Sequence, residues 1–133
     1  MSFPLNFDGF LDQIGIYANP ENTVITAAET CDEHPNDNDY VSIKYQLNLQ
    51  VTDEIIEKTV DEELYTAQLG NHQLFDEVEK VVKQMCKNER RQIVIPPNVA
   101  FKEVGNPSLD IPPYATLIFD VELVDFHPAK DEL

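Results

Sequence analysis

The residues from 41 to 51 alternate without a break: Val41, Ile43, Tyr45, Leu47, Leu49 and Val51 are apolar, and the five positions between them are polar. A period of two sends successive side chains to opposite faces, so this run predicts a strand with one face in a core and the other in water. Such a strand needs neighbours, and the chain offers them. Residues 23–28 (TVITAA) and 90–95 are β-rich, and residues 115–126 predict a final strand with Leu117, Phe119, Val121 and Leu123 on one face. Residues 52–63 (TDEIIEKTVDEE) leave helix and strand equally open.

One segment has a different period. Leu74, Val78, Val81, Val82 and Met85 recur at i, i+4, i+7, i+8 and i+11, the stripe of an amphipathic helix, and Asn71 is placed to cap it. Asp76 with Lys80 and Glu79 with Lys83 stand four apart on the other face, a spacing that favours ion pairs. Pro96 and Pro97 then open a long loop through Gly105, Pro107 and the Pro112-Pro113 pair. The whole predicts an α+β fold, an antiparallel sheet of five to six strands wrapped around one short α-helix. Residues 23–127 make one domain, residues 1–22 an arm that packs on something, and residues 128–133 a tail or the start of a linker.

With 25 acidic against 9 basic residues the net charge is -16. A polyanionic surface repels phosphates and anionic lipid headgroups, which disfavours nucleic acid and membranes as partners. The excess is uneven, because residues 1–63 hold 14 acids and 2 bases while the rest hold 11 and 7. Cys31 and Cys86 have no CxxC spacing, so two reduced thiols are expected, with neither a disulfide framework nor a zinc site. The opening residues lack a basic region and are interrupted by Asp8 and Asp12, unlike a secretory signal.

The second half resembles the FKBP-type peptidyl-prolyl isomerases. IPPYATLIFDVELVDF, residues 111–126, resembles that family's IPP-x-ATL-x-F-x-V-EL closing strand, and PPNVAFKEVGNP stands in place of its P-x-YAYG-x-x-G-x-P loop. Upstream, LGNHQLFDEVEKVVKQM matches the LG-x-x-x-VI-x-GW-x-x-G-V-x-x-M segment in spacing, and VSIKYQLNL sits where the family has VHYTG-x-L. The likeness covers residues 41–126, with one insertion near Asp110.

The resemblance implies a pocket for an X-Pro bond, and the family's positions transfer one by one. Tyr45, Ile111 and Phe119 match the family's residues, Tyr65 stands for a Phe, and Leu74 and Phe75 replace a Val-Ile pair, with the Phe75 N–H placed to hold a substrate carbonyl. The family's floor Trp falls at Val78, its Phe-Asp pair aligns without gaps to Ile55 and Ile56, and its hydrogen-bonding loop Tyr falls at Phe101, followed by Lys102 in place of Gly. On that alignment Tyr45 lacks an anionic partner. These four losses imply a degenerate domain: a protein-interaction or co-chaperone module with weak or no isomerase activity, the alternative being an active prolyl isomerase. It resembles the degenerate domains of multidomain immunophilins, which often carry tetratricopeptide repeats.

Other residue groups point to structure rather than chemistry. Aromatics at alternating strand positions serve as core in most sheets. His34, His72 and His127 have no triad or metal spacing and are expected at the surface. Lys80, Lys83, Lys87, Arg90 and Arg91 read as a solvated face, and the acidic loop at 32–39 lacks a calcium-loop pattern. No metal or cofactor is expected. The partners expected are protein clients or a chaperone complex, and the isolated domain is expected to be a monomer. Its expected location is the cytoplasm. The terminal Lys130, Asp131, Glu132 and Leu133 form KDEL, which would place it in the endoplasmic reticulum if native and preceded by a removed signal.

Overall fold

The computed structural model describes residues 19–129, so most of the expected arm and the KDEL run lie outside the described residues. Among the described residues, six strands and one α-helix follow in the order β1 (Glu21–Thr26), β2 (Tyr40–Leu49), β3 (Ile55–Lys58), β4 (Tyr65–Gln68), α1 (Asp76–Val82), β5 (Arg90–Ile95) and β6 (Leu117–His127). Every pairing is antiparallel. The strands lie in the order β1-β5-β6-β2-β3, and β4 also pairs with β2. One edge of β2 is thus shared, with β4 beside Tyr40 to Ile43 and β3 beside Gln46 to Asn48.

The spine is the β2–β6 pair, which runs from Tyr40 opposite His127 to Leu49 opposite Leu117 with one register shift between Ser42 and Ile43. The alternation in both strands works as their period requires: Val41, Ile43, Leu47, Leu117, Phe119, Val121 and Leu123 are buried on one face. Val51 is the exception. It lies in the turn after β2 and is 84% exposed, because β2 ends at Leu49, whose carbonyl accepts the Asp53 N–H. The segment left open between helix and strand forms β3, and β4 is a strand that no periodic signal announced.

α1 presses Val78, Val81 and Val82 into the sheet, with Met85 completely buried just beyond it. It is shorter than its apolar stripe. Asn71 does not cap it; its amide donates to Gln68 Oε1 at 2.6 Å, and Phe75 takes the N-cap position without a side-chain bond. The cause is the turn out of β4, where Gly70 and His72 both have positive φ and helical geometry begins only at Asp76. The expected i, i+4 ion pairs are also replaced. Lys80 bonds Glu77 at 3.1 Å, Lys83 reaches Asp37 at 2.8 Å, and the buried Glu79 accepts the Gly70 N–H at 3.1 Å.

The basic cluster is fully engaged, since Lys87 pairs with Asp125, Arg90 with Asp120 and Arg91 with Glu89. The reading as a solvated face suits Lys80, Lys87 and Arg90, which are exposed, but not Arg91, whose side chain is mostly buried against Glu89. The expectation of two free thiols does not hold: Cys31 and Cys86 form a disulfide, with Cα atoms 5.4 Å apart across a sequence separation of 55. The fold lays the loop after β1 against the end of α1, a proximity that sequence spacing does not express. Nor are all three histidines at the surface, because His127 is half-buried and its ring stacks on Tyr40 at 5.5 Å.

Candidate functional site

A cavity of about 400 Å³ opens where β2, β3, β4 and β6 meet the chain entering α1. That is within the usual size range of small-ligand sites. Tyr45, Leu47, Glu57, Tyr65, His72, Gln73, Leu74, Phe75 and Phe119 line it. β2 supplies Tyr45 and Leu47 from its inward face, and β6 supplies Phe119, which is opposite Leu47 in register. The Tyr45 and Phe119 rings are therefore diagonal neighbours across the pair, and they stack with centroids 5.3 Å apart and planes 3° from parallel. Tyr65 meets Tyr45 edge-on at 5.7 Å.

The polar end of the cavity corrects the gapless alignment. Tyr45 does have an anionic partner: its hydroxyl donates to Glu57 Oε1 at 2.7 Å. In the β2–β3 pair, Gln46 and Leu47 face Lys58 and Glu57, but Asn48 faces Ile55, so Ile56 is an extra residue and the register shifts there. A one-residue bulge exchanges which side chains share a face. Without it Ile56 would stand beside Tyr45; with it Glu57 does. Burial, followed by the hydrogen bond to Glu57 and the nearby carboxylate charge, pushes the Tyr45 phenol well above its ordinary pKa.

Of the residues expected in the pocket, Tyr45, Tyr65, Leu74, Phe75 and Phe119 come together there. Phe101 stands at the margin, with its ring edge-on to Phe75 at 5.6 Å. Val78 and Ile111 are core residues, 0% and 3% exposed, and neither lines the cavity. Ile56 packs on the core, whereas Ile55 is 52% exposed outside it. Glu57, His72, Gln73 and Leu47 are lining residues that sequence reasoning missed. For Glu57 the available signal was its position one residue past the aligned pair.

The Phe75 N–H has no hydrogen-bond partner among the described residues, although the Phe75 carbonyl accepts from both Val78 and Glu79. A free backbone donor at the wall of an aromatic cavity can hold a peptide carbonyl. The phenol oxygen of Tyr45, another lining residue, is fixed by Glu57. Lys102, at the place of a family glycine, has φ of 50°, the left-handed conformation that glycine takes without steric cost. His72 sits at the rim with Nδ1 3.4 Å from Asp76 Oδ1. This arrangement offers an aromatic wall, one backbone donor and a polar rim of Glu57, His72 and Gln73.

Residues 31–124 match the family model described as FKBP-type peptidyl-prolyl cis-trans isomerase. FK506-binding protein 2A of Rhizopus delemar is 32% identical over 111 residues, which are 83% of this chain and 66% of that protein. Peptidyl-prolyl cis-trans isomerase FKBP10 of Homo sapiens is 40% identical over 67 residues, 50% of this chain and 11% of that protein. Among solved structures, the three FKBP domains of wheat FKBP73 superpose with a TM-score of 0.73 at 26% identity, covering 82% of this chain and 46% of that one. The N-terminal domain of Arabidopsis thaliana FKBP42 has the same TM-score at 19% identity and attests the fold alone. The chain spans less than two thirds of the length of each of these two relatives.

Proposed function

Because the chain belongs to the FKBP-type peptidyl-prolyl cis-trans isomerase family, we propose that its aromatic cavity seats prolyl segments of protein clients, as an interaction module with weak isomerase activity. The observation that carries this reading is the Tyr45 ring, stacked on Phe119 and tied to Glu57 beside the free Phe75 N–H.

Amide resonance holds an X-Pro bond planar behind a barrier of ~18–20 kcal/mol. A dry cradle disfavours the charge-separated planar amide, and a donor placed for the twisted form lowers the barrier further. The cavity keeps the cradle and one donor. Two features argue for slow turnover. Val78 is sealed in the core where the family's indole would floor the pocket, and Phe101 has no hydroxyl to donate. Loss of one transition-state donor costs roughly 10²- to 10³-fold in comparable sites.

The test is a protease-coupled assay of X-Pro isomerisation with titration of a macrolide FKBP ligand, run on the chain and on Phe101→Tyr. Weak acceleration that rises in Phe101→Tyr supports the reading. Acceleration by the unchanged chain at the level of an efficient isomerase would move it to the enzyme class, and absence of both activity and prolyl-peptide binding would end it.

The disulfide supports a second reading, on compartment. Such bonds persist in oxidising compartments and are rare in the cytosol, so the Cys31–Cys86 bond favours an oxidising compartment such as the endoplasmic reticulum over the cytoplasm. Acid trapping of the protein from its cells, then alkylation, tests this: two blocked cysteines support it, two alkylated ones overturn it.

A further inference from the structure

A second cluster of reactive groups lies apart from the aromatic cavity. Cys31, His34 and Cys86 bring one Sγ, one imidazole and another Sγ within 4.8 Å of one another. The imidazole touches both sulfurs through different nitrogens: Nε2 is 3.8 Å from Cys31 Sγ, and Nδ1 is 3.9 Å from Cys86 Sγ. Nδ1 also lies 3.0 Å from the Met85 carbonyl oxygen, which only accepts. That bond places the proton of neutral His34 on Nδ1 and leaves the Nε2 lone pair facing Cys31.

The two sulfurs differ in access. Cys31 is exposed, Cys86 is 5% exposed, and a cleft of about 410 Å³ that also includes Lys87 opens onto the pair. A disulfide sulfur open to solvent, a base beside it and a carbonyl orienting that base make an arrangement that can deprotonate an incoming thiol where it attacks.

We propose that Cys31, Cys86 and His34 form a thiol–disulfide exchange site acting on thiols of protein clients. A client thiol gives its proton to His34 Nε2 and attacks Cys31 Sγ. A bond forms between the client sulfur and Cys31, the Cys31–Cys86 bond breaks, and the electron pair leaves on Cys86 Sγ. That sulfur takes the Nδ1 proton of the imidazole. A second client thiolate then attacks the client sulfur of the mixed disulfide, and Cys31 leaves as a thiolate and takes up a proton. The client gains a disulfide, having lost two electrons, and Cys31 and Cys86 are left as thiols. A small-molecule disulfide such as oxidised glutathione restores the bond. The inference stands apart from the prolyl-binding reading, since the two sites share no residue.

The experiment follows disulfide transfer from the oxidised chain to a peptide dithiol, by mass spectrometry after acid quench, over a range of pH. The unaltered chain oxidises the peptide, and His34→Ala slows transfer by about tenfold or more with a changed pH profile. His34→Gln, which can still donate to the Met85 carbonyl, is equally slow if the imidazole transfers protons. In Cys86→Ser loaded with a peptide disulfide, the mixed disulfide forms at Cys31. Equal rates for the unaltered chain and both His34 variants would overturn the proposal. So would bond reduction no faster than global unfolding measured by hydrogen exchange.

Discussion

The Tyr45 hydroxyl donates to the Glu57 carboxylate at 2.7 Å across a bulge that places Ile56 between two paired positions of β3. The bond joins β2 to the short strand at the sheet's edge, and it orients the ring that stacks on Phe119. Glu57→Ala should lower stability by about 1 kcal/mol, since Glu57 is solvent-exposed and the net worth of such a bond is modest. Glu57→Gln keeps an acceptor and should cost less. Urea unfolding of the two variants measures both, and an alanine variant no weaker than the glutamine one would deny the bond its role.

The same bond sets a pH dependence. Burial and Glu57 raise the folded pKa of Tyr45 above the ordinary value near 10. A raised pKa means that the folded state holds the phenolic proton more tightly than the unfolded chain. The stabilisation is therefore fully present below pH ~10 and is lost as pH climbs through the folded value. Urea midpoints should fall between pH 9 and higher alkaline values, and Tyr45→Phe should flatten part of that fall. Ultraviolet titration should show that Tyr45→Phe removes a phenolic ionisation lying above pH 10 in the folded chain.

Much of this was legible in the sequence, for reasons that differ by element. β2 carries a long unbroken alternation and β6 an apolar residue at every second position from Leu117 to Leu123, and these residues are the core; a period of two sustained over many residues has few other solutions. Leu117, Phe119, Val121 and Leu123 went to one face as the pattern required. β4 was hidden because Tyr65–Gln68 is too short to show a period. The Glu57 contact was hidden because a bulge is an insertion in one strand relative to its partner, invisible until the partner is known. The disulfide was hidden for the same reason: 55 residues separate the cysteines, and only the packing of two loops brings them together.

Val78 separates family position from family role. It is 0% exposed and packed in the helix–sheet core, so an indole there would have to displace core atoms before reaching the cavity. Val78→Trp should destabilise the domain by ~1–3 kcal/mol through overpacking. Thermal unfolding checks this. An unchanged or raised midpoint would mean that the side chain can turn into the cavity and restore a floor.

Reduction of Cys31–Cys86 releases a constraint on the unfolded chain. For a loop of this length the chain-entropy argument gives about 4 kcal/mol. Chemical denaturation with and without a thiol reductant should show a loss of that order, with the Cys31→Ser, Cys86→Ser double variant matching the reduced protein. A loss below about 1 kcal/mol would mean that other contacts already hold the two loops together.

Gly105 is the position where a single carbon is excluded. Its φ is +68°, and a Cβ built there would lie 2.4 Å from the Ile111 carbonyl oxygen and 2.7 Å from the carbonyl carbon of Pro112. Both are backbone atoms, so no side chain can swing aside. The same stretch closes on itself through the Asn106 N–H to the Ile111 carbonyl and the Gly105 N–H to the Phe101 carbonyl, the latter beside the ring that abuts Phe75. Gly105→Ala should therefore act twice: it should cost ~1–3 kcal/mol of stability through backbone strain, and it should shift Phe101 at the cavity margin. Paired measurement of the unfolding midpoint and of prolyl-peptide affinity separates the effects. Lost stability with unchanged affinity would show that the loop is scaffold alone, and loss of both would tie its backbone to the cavity.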